Sequence, residues 1–297
     1  MSTVRHDEGM SPQYPFRTHT RGDTARVTRP RTGFPYLDAG LEQPGSVLAF
    51  AHRGGAYHPE IEGLENTMAA FRHAVELGYH YLETDVHATR DGVLVAFHDQ
   101  VLDRVTSHRG PIADLDAGSV AEALIGEREP IPTMTALLEE FPDVRFNIDL
   151  KSEAAVPLLA DLIRRTGAHD RICVGSFSRR RTERFRALVG DRVPTAASPF
   201  DVAVLRLAPL VRAVDLLLRR RPAALQIPRR RRNVTVLTPG LIDRAHTLGI
   251  HVHVWTVDEP EEMHELLDLG VDGLMTDRTD LLREVLLERG QWMGASR

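Results

Sequence analysis

The chain has 297 residues, 42% of them hydrophobic, and carries a formal net charge of −5 at pH 7. That length and apolar content suffice for one large core, and the acidic total provides no global attraction to nucleic acid. The single cysteine, Cys173, rules out an internal disulfide and fits a reducing, cytoplasmic compartment; no run approaches the roughly 18 apolar residues of a membrane span, and the N-terminus lacks the apolar segment of a signal peptide.

Residues 1–45 are rich in Arg, Thr, Pro and Gly without periodicity and read as an irregular, loosely docked N-terminal extension. From residue 46 onward strand and helix patterns alternate. Strands are expected at 47–52, 79–86, 93–98, 145–150, 171–177, 193–196, 224–227, 251–257 and 273–276. Helices are expected at 65–77, 133–141, 155–166, 178–189, 201–220, 239–248, 260–269 and 280–289, with 290–297 as a tail. Gly78 suits a helix C-terminus, Ser178 and Asp280 suit N-caps, and Pro239 and Pro260 suit first-turn positions.

Such alternation over 46–289 implies a parallel sheet with helices outside it. At this length the expected α/β solution is the closed (β/α)8, or TIM, barrel. An open doubly wound sheet is the runner-up, but no Gly-rich dinucleotide loop supports it. Nine strand candidates compete for eight places. Only Thr89-Arg90-Asp91-Gly92 separates 79–86 from 93–98, a turn too short for a helical crossover, so one of the two leaves the pattern.

Four expected strands end in acid–base pairs: His52-Arg53, Glu83-x-Asp85, His98-Asp99 and Asp149-x-Lys151. Side chains alternate faces along a strand, so Glu83 and Asp85 share one face, and so do Asp149 and Lys151. In a barrel, functional groups gather at the C-terminal strand ends, where all four pairs are placed. Lys151 is the single lysine among 37 basic Lys and Arg residues. One position kept a compact ammonium in a chain that otherwise uses guanidinium, which suits a tight site needing a point cation. Two inward carboxylates are costly to ionise without a counter-charge, which favours a bound cation over simple capping roles.

The run of Ala51-His52-Arg53-Gly54-Gly55, Leu64-Glu65-Asn66-Thr67, Glu83-Thr84-Asp85, Phe97-His98-Asp99, Asp149-Leu150-Lys151, Val254-Trp255-Thr256-Val257 and Gly273-Leu274-Met275-Thr276-Asp277 resembles the glycerophosphodiester phosphodiesterases. The resemblance covers about residues 47–285. It implies a metal-dependent barrel enzyme that cleaves glycerophosphodiesters to glycerol 3-phosphate and an alcohol. It maps acid–base catalysis to His52 and His98, and metal ligation to Glu83, Asp85 and Asp149. Two departures stand out. Asp149 occupies a place that is usually Glu, one methylene longer, and Leu64 replaces a common proline.

The all-oxygen ligand set implies Mg²⁺ or Ca²⁺, with Mn²⁺ as a third candidate. Arg53 suits a forked phosphate contact and Lys151 a point contact. Glu65 is read as a substrate contact or as a charge at a helix start, and Trp255 as a pocket wall. Asp277 is read as an anchor for a loop at the mouth. Which histidine is acid and which base stays open, as does the nucleophile, water or the substrate's own hydroxyl. His251 and His253 are expected inside or below the barrel, whereas His58, His73, His80 and His87 are expected at the surface. Arginine runs at 179–181 and 229–232 follow strand ends and offer an anion-attracting rim for lysophospholipid at a membrane surface. The competing readings are a lysophospholipase D, a phosphodiesterase releasing cyclic phosphate, and a non-catalytic barrel that binds phosphate ligands. Nucleic-acid binding is not expected, given only 6% aromatic residues for base stacking.

Overall fold

The structure, a computed structural model, describes residues 29–41, 45–208, 211–218 and 220–294. The strands of its main sheet are β1 (Leu48–Ala51), β2 (Tyr81–Ala88), β3 (Leu94–Ala96), β4 (Arg145–Leu150), β5 (Ile172–Gly175), β6 (Ala224–Ile227), β7 (His251–Val254) and β8 (Gly273–Thr276). All but β3 pair in parallel, in the order β5-β4-β2-β1-β8-β7-β6. Residues 193–196 close the ring between β5 and β6 through parallel bridges Val174↔Thr195 and Ala196↔Ala224. There the Ala196 amide donates to Val174 O and the Ala223 amide to Thr195 O, each at 2.9 Å. The result is an eight-staved barrel. The ninth candidate, β3, turns back antiparallel on β2, pairing Val86 with Ala96 and Ala88 with Leu94, because its short connection carries no helix.

Apart from short turns of helix at Pro35–Asp38 and Ala117–Ala121, the helices are α1 (Met68–Glu76), α2 (Met134–Glu140), α3 (Ala155–Thr166), α4 (Arg179–Val189), α5 (Pro199–Leu207), α6 (Val211–Leu217), α7 (Pro239–Thr247), α8 (Pro260–Asp268) and α9 (Thr279–Glu288). Ser178 caps α4, and Pro239 and Pro260 open α7 and α8, as expected. Three expectations are corrected. The helix expected over 201–220 breaks after Leu207: Ala208 is extended (ψ 129°), as the residue before a proline tends to be. Glu65 does not start a helix, since Thr67 is the N-cap of α1, accepting from the Ala70 amide at 3.1 Å. Asp280 lies inside the first turn of α9, whose N-cap is Arg278, and it pairs with that arginine at 2.7 Å.

Alternation along the strands sorts their side chains into two apolar clusters. Leu82, Val86, Phe146, Ile148, Leu150, Val252 and Val254 face the helices, while Leu48, Phe50, Tyr81, Cys173 and Met275 fill the lower barrel. Residues 1–28 and 42–44 of the expected extension lie outside the described residues. Residues 29–41 are packed, where the sequence suggested loose docking: Tyr36 and Leu37 are fully buried in the lower cluster. The Tyr81 hydroxyl donates to Tyr36 O at 2.7 Å, and His251 Nε2 lies 2.9 Å from Pro30 O. This segment plugs an apolar barrel end that would otherwise face water. In the expected tail, Trp292 packs edge-on against Tyr79 at 5.0 Å. Among the described residues no helix is long and apolar enough to cross a membrane.

Candidate active site

The C-terminal ends of β1, β2 and β4 converge at one mouth. Asp85 and Asp149 are register partners on adjacent parallel strands. The Lys151 ammonium lies between them, 2.9 Å from Asp85 Oδ1 and 2.7 Å from Asp149 Oδ2. Arg53 approaches from the β1 end, its Nε 3.3 Å from Asp85 Oδ2 and its backbone amide donating to Glu83 Oε2 at 3.1 Å. It does so at φ 51°, a left-handed backbone that non-glycine residues seldom adopt outside strained functional turns. Asn66, also left-handed at φ 60°, accepts from the Thr84 hydroxyl at 2.7 Å and donates to Asp85 Oδ2 at 3.2 Å. The turn after β1 and the loop before α1 therefore both hold the carboxylates from above.

Each motif histidine rests on a carboxylate. His52 Nδ1 is 2.9 Å from Asp277 Oδ1, which leaves Nε2 facing Glu83 at 3.8 Å. His98 Nδ1 is 2.6 Å from Asp99 Oδ1, and Asp99 is held in turn by Arg104 at 2.6 Å. Arg104 also grips Glu65 through two bonds of 2.9 and 2.6 Å, and Glu65 reaches Arg53 at 3.3 Å. An ionic chain thus links the two histidine turns.

Electrostatics separate the carboxylates. Burial, then the neighbouring Asp85, pushes Glu83 up to about 7, against the pull of His52, Arg53 and Lys151. Burial would also raise Asp85, but Lys151, Arg53 and His98 outweigh it and hold the carboxyl below its ordinary value. His98 is tied to the mouth through the chain Asp99, Arg104, Glu65 and Arg53. Burial disfavours the His52 imidazolium, yet Glu83 and Asp277 reverse this and raise its pKa. Glu83 therefore keeps a proton to higher pH than an ordinary carboxyl, and His52 holds its own more firmly than a free imidazole, an arrangement suited to acid–base chemistry.

Residues 52–281 match the model of the glycerophosphoryl diester phosphodiesterase family. The chain belongs to that family. It is 43% identical over 253 residues to a probable glycerophosphodiester phosphodiesterase of Mycobacterium tuberculosis, covering 84% of this chain and 95% of that protein. A human lysophospholipase D is 27% identical over 270 residues, with coverage of 80% and 85%. Among solved structures, a putative glycerophosphoryl diester phosphodiesterase from Silicibacter pomeroyi superposes with a TM-score of 0.70 at 21% identity, covering 87% of this chain and 99% of that one. An Oleispira antarctica phosphodiesterase, in complex with the product sn-glycerol-3-phosphate, gives 0.66 at 20% identity, with coverage of 80% and 96%. At those identities the two structures attest the fold.

In this glycerophosphoryl diester phosphodiesterase, His52, Arg53, Glu65, Glu83, Asp85, Asp149 and Lys151 are brought to one end of the barrel, with His98 tied to them through Asp99, Arg104 and Glu65. Trp255 joins them at the rim, edge-on to Phe177 at 5.9 Å, while the Lys151 ammonium sits 5.8 Å from the Phe177 ring centre. Glu83, Asp85 and Asp149 do not form a closed cage, since their oxygens do not all lie within 4.8 Å of one another. Their chemistry still fits a hard divalent ion: every donor is oxygen, burial disfavours the bare Glu83 carboxylate that a cation would stabilise, and Asp149 Oδ1 is buried with no hydrogen-bond partner among the described residues.

Sequence reasoning missed four contributors. Asp277 orients His52 in addition to closing a loop, and Asp99 does the same for His98. Asn66 was visible in its motif but carried no assigned role. Arg104 had no signal at all, being one arginine among many. Two histidines expected at the surface are buried: His87, with a ring nitrogen 3.2 Å from His98 O, and His58. His251 and His253 lie inside the barrel, fully buried as expected. The arginine rim is paired in part: Arg179 with Glu183, Arg181 with Glu153, and Arg229 with Glu262 and Glu265. Charge at the rim is therefore more balanced than the bare sequence suggested.

Proposed function

We propose that this phosphoric diester hydrolase cleaves glycerophosphodiesters to sn-glycerol 3-phosphate and an alcohol by acid–base catalysis between His52 and His98. The observation that carries the reading is the pair of carboxylate-braced imidazoles at one mouth. Bonding of each Nδ1 to Asp277 or Asp99 selects the tautomer that leaves Nε2 to exchange a proton with substrate. One ring takes the proton of the attacking hydroxyl, from water or from the substrate's glycerol, and the other protonates the departing alkoxide. Arg53 and Lys151 balance the phosphodiester's negative charge, and Glu65 keeps the guanidinium in place.

Glu83, Asp85 and Asp149 are the residues to hold Mg²⁺, Ca²⁺ or Mn²⁺, which when bound would neutralise a non-bridging phosphate oxygen. The shorter Asp149 is the place where this chain's ion preference would be set. The lone buried thiol of Cys173 suits a cytoplasmic enzyme.

The test is turnover of glycerophosphocholine by protein stripped with chelator and resupplied with each ion. His52→Ala and His98→Ala are expected to lower kcat by about 10²–10⁴-fold with the fold intact. Near-normal rates in either variant would remove it from the acid–base pair.

A second reading, lysophospholipase D activity, is favoured by one feature. Phe177 is 58% exposed beside Trp255 and Lys151, an apolar wall at the mouth able to receive an acyl chain. Lysophosphatidylcholine cleaved faster than glycerophosphocholine would support it, and the reverse order would set it aside. A non-catalytic phosphate-binding barrel would bind ligand and turn over neither.

A further inference from the structure

We propose that His58, Glu60 and His73 form a metal site separate from the carboxylate mouth, suited to a borderline divalent ion of the zinc class. His58 and Glu60 lie in the loop between β1 and α1, and His73 lies on α1. Among the described residues these are the three His, Cys, Asp or Glu side chains whose ligand atoms fall within 4.8 Å of one another.

The geometry resembles a coordination shell at its edges. His73 Nε2 and Glu60 Oε2 are 3.2 Å apart, close to the edge of a tetrahedron with bonds of about 2.0–2.1 Å, roughly 3.3 Å. The two imidazole rings lie 4.2 Å apart between centroids and are inclined at 57°. Their nitrogens are lightly committed. His73 Nδ1 is buried with no hydrogen-bond partner among the described residues, so a proton moved there from Nε2 would give up one contact, that with Glu60, which a shared metal ion would replace. His58 Nδ1 accepts from the Glu60 amide at 3.2 Å, a long bond that a metal could replace.

Donor chemistry sets the ion class. Two imidazoles and one carboxylate favour Zn²⁺, Co²⁺ or Ni²⁺, whereas the all-oxygen mouth favours Mg²⁺ or Ca²⁺. The two sites would therefore fill independently. An ion here would pin the middle of the 52–67 loop to α1. The ends of that loop carry His52 and Arg53 on one side and Glu65 and Asn66 on the other, so the expected effect is on stability, with chemistry left intact.

The experiment uses the full chain, stripped with chelator and saturated with Mg²⁺, titrated with ZnCl₂ by calorimetry and followed by thermal melting. One Zn²⁺ per chain with a rise in Tm is expected, and the same stoichiometry in Asp149→Asn, which counts zinc at the mouth apart. Glu60→Gln and His73→Gln should each weaken this binding at least about tenfold without altering Mg²⁺-dependent turnover. The Glu60 side chain is 76% exposed, so Glu60→Gln tests the site without risk to folding. Co²⁺ should give visible absorption in the wild type that both variants lose. Zinc affinity unchanged in both variants, or no saturable zinc beyond what Mg²⁺ displaces, would overturn the proposal.

Discussion

Asp277 sets the surroundings of His52. Its carboxylate holds Nδ1 at 2.9 Å and helps raise the imidazole pKa. Asp277→Asn keeps the shape but removes the charge and the tautomer preference. It should lower kcat by about 10²-fold or more with KM little changed. Loss of a group that raises the His52 pKa should also move that histidine's limb of the pH–rate profile to lower pH. A purely structural Asp277 would leave the profile in place, so the profile is the deciding measurement. The Asp99–His98 contact is its counterpart on the other side of the mouth. Asp99 was readable beside His98 as an acid–base pair, whereas the task of Asp277 was not, because Asp277 and His52 are 225 positions apart.

Between β1 and α1 the chain makes its tightest local demand. Gly54, at φ 87°, packs so close to α1 that a β-carbon there would lie 2.7 Å from Ala70 Cβ and 3.0 Å from the Ala70 carbonyl carbon. The helix start therefore presses on the very turn that presents His52 and Arg53. Gly54→Ala should cost about 1–3 kcal/mol from overpacking, with further strain from the left-handed backbone. It should lower kcat/KM as well, because the turn must move. Denaturant midpoints and steady-state kinetics together check this; an unchanged midpoint would mean that the helix yields freely. Element boundaries were partly legible from sequence. Pro209 signalled a break that the apolar periodicity of 201–220 concealed, and Thr67 was the better cap than the acidic Glu65. Residues 193–196 were expected as a strand and do serve as a stave, but only through single bridges to β5 and β6, so tertiary pairing rather than local propensity holds them there.

Across the whole molecule the barrel interior changes character from base to mouth. Below, Tyr36, Leu37, Phe50 and Tyr81 make an apolar plug; midway, Gln226 links to Asn147 at 2.6 Å and lies near His253; above, carboxylates and cations prevail. His253 is fully buried, and burial with the nearby His251 pulls it down to about 3 from 6.5. With its folded pKa below the unfolded value, only the unfolded chain takes up this proton as pH falls from about 6.5 towards 3. His253 thus erodes stability towards acid by about 1.4 kcal/mol per pH unit. Glu83, raised to about 7, acts in the opposite sense between its unfolded value and neutrality. The two overlap, so the clean measurement is a difference: the stability of His253→Phe minus wild type, followed by chemical denaturation from pH 7 to 4. That difference should grow as pH falls. A flat difference would show His253 protonated or hydrated in the folded state.

Sequence alone was enough to establish the alternation of strands and helices, the polar strand ends, and the residue types of a phosphodiesterase centre. All of these are local or periodic properties, written into hydrophobic pattern and short motifs. Tertiary structure alone decided which carboxylate braces which histidine, which arginine bridges the two turns, and that residues 29–41 seal the barrel floor. Those contacts join positions tens to hundreds of residues apart, and they exist only because ring closure brings distant strand ends within the few ångströms over which hydrogen bonds and buried charges act.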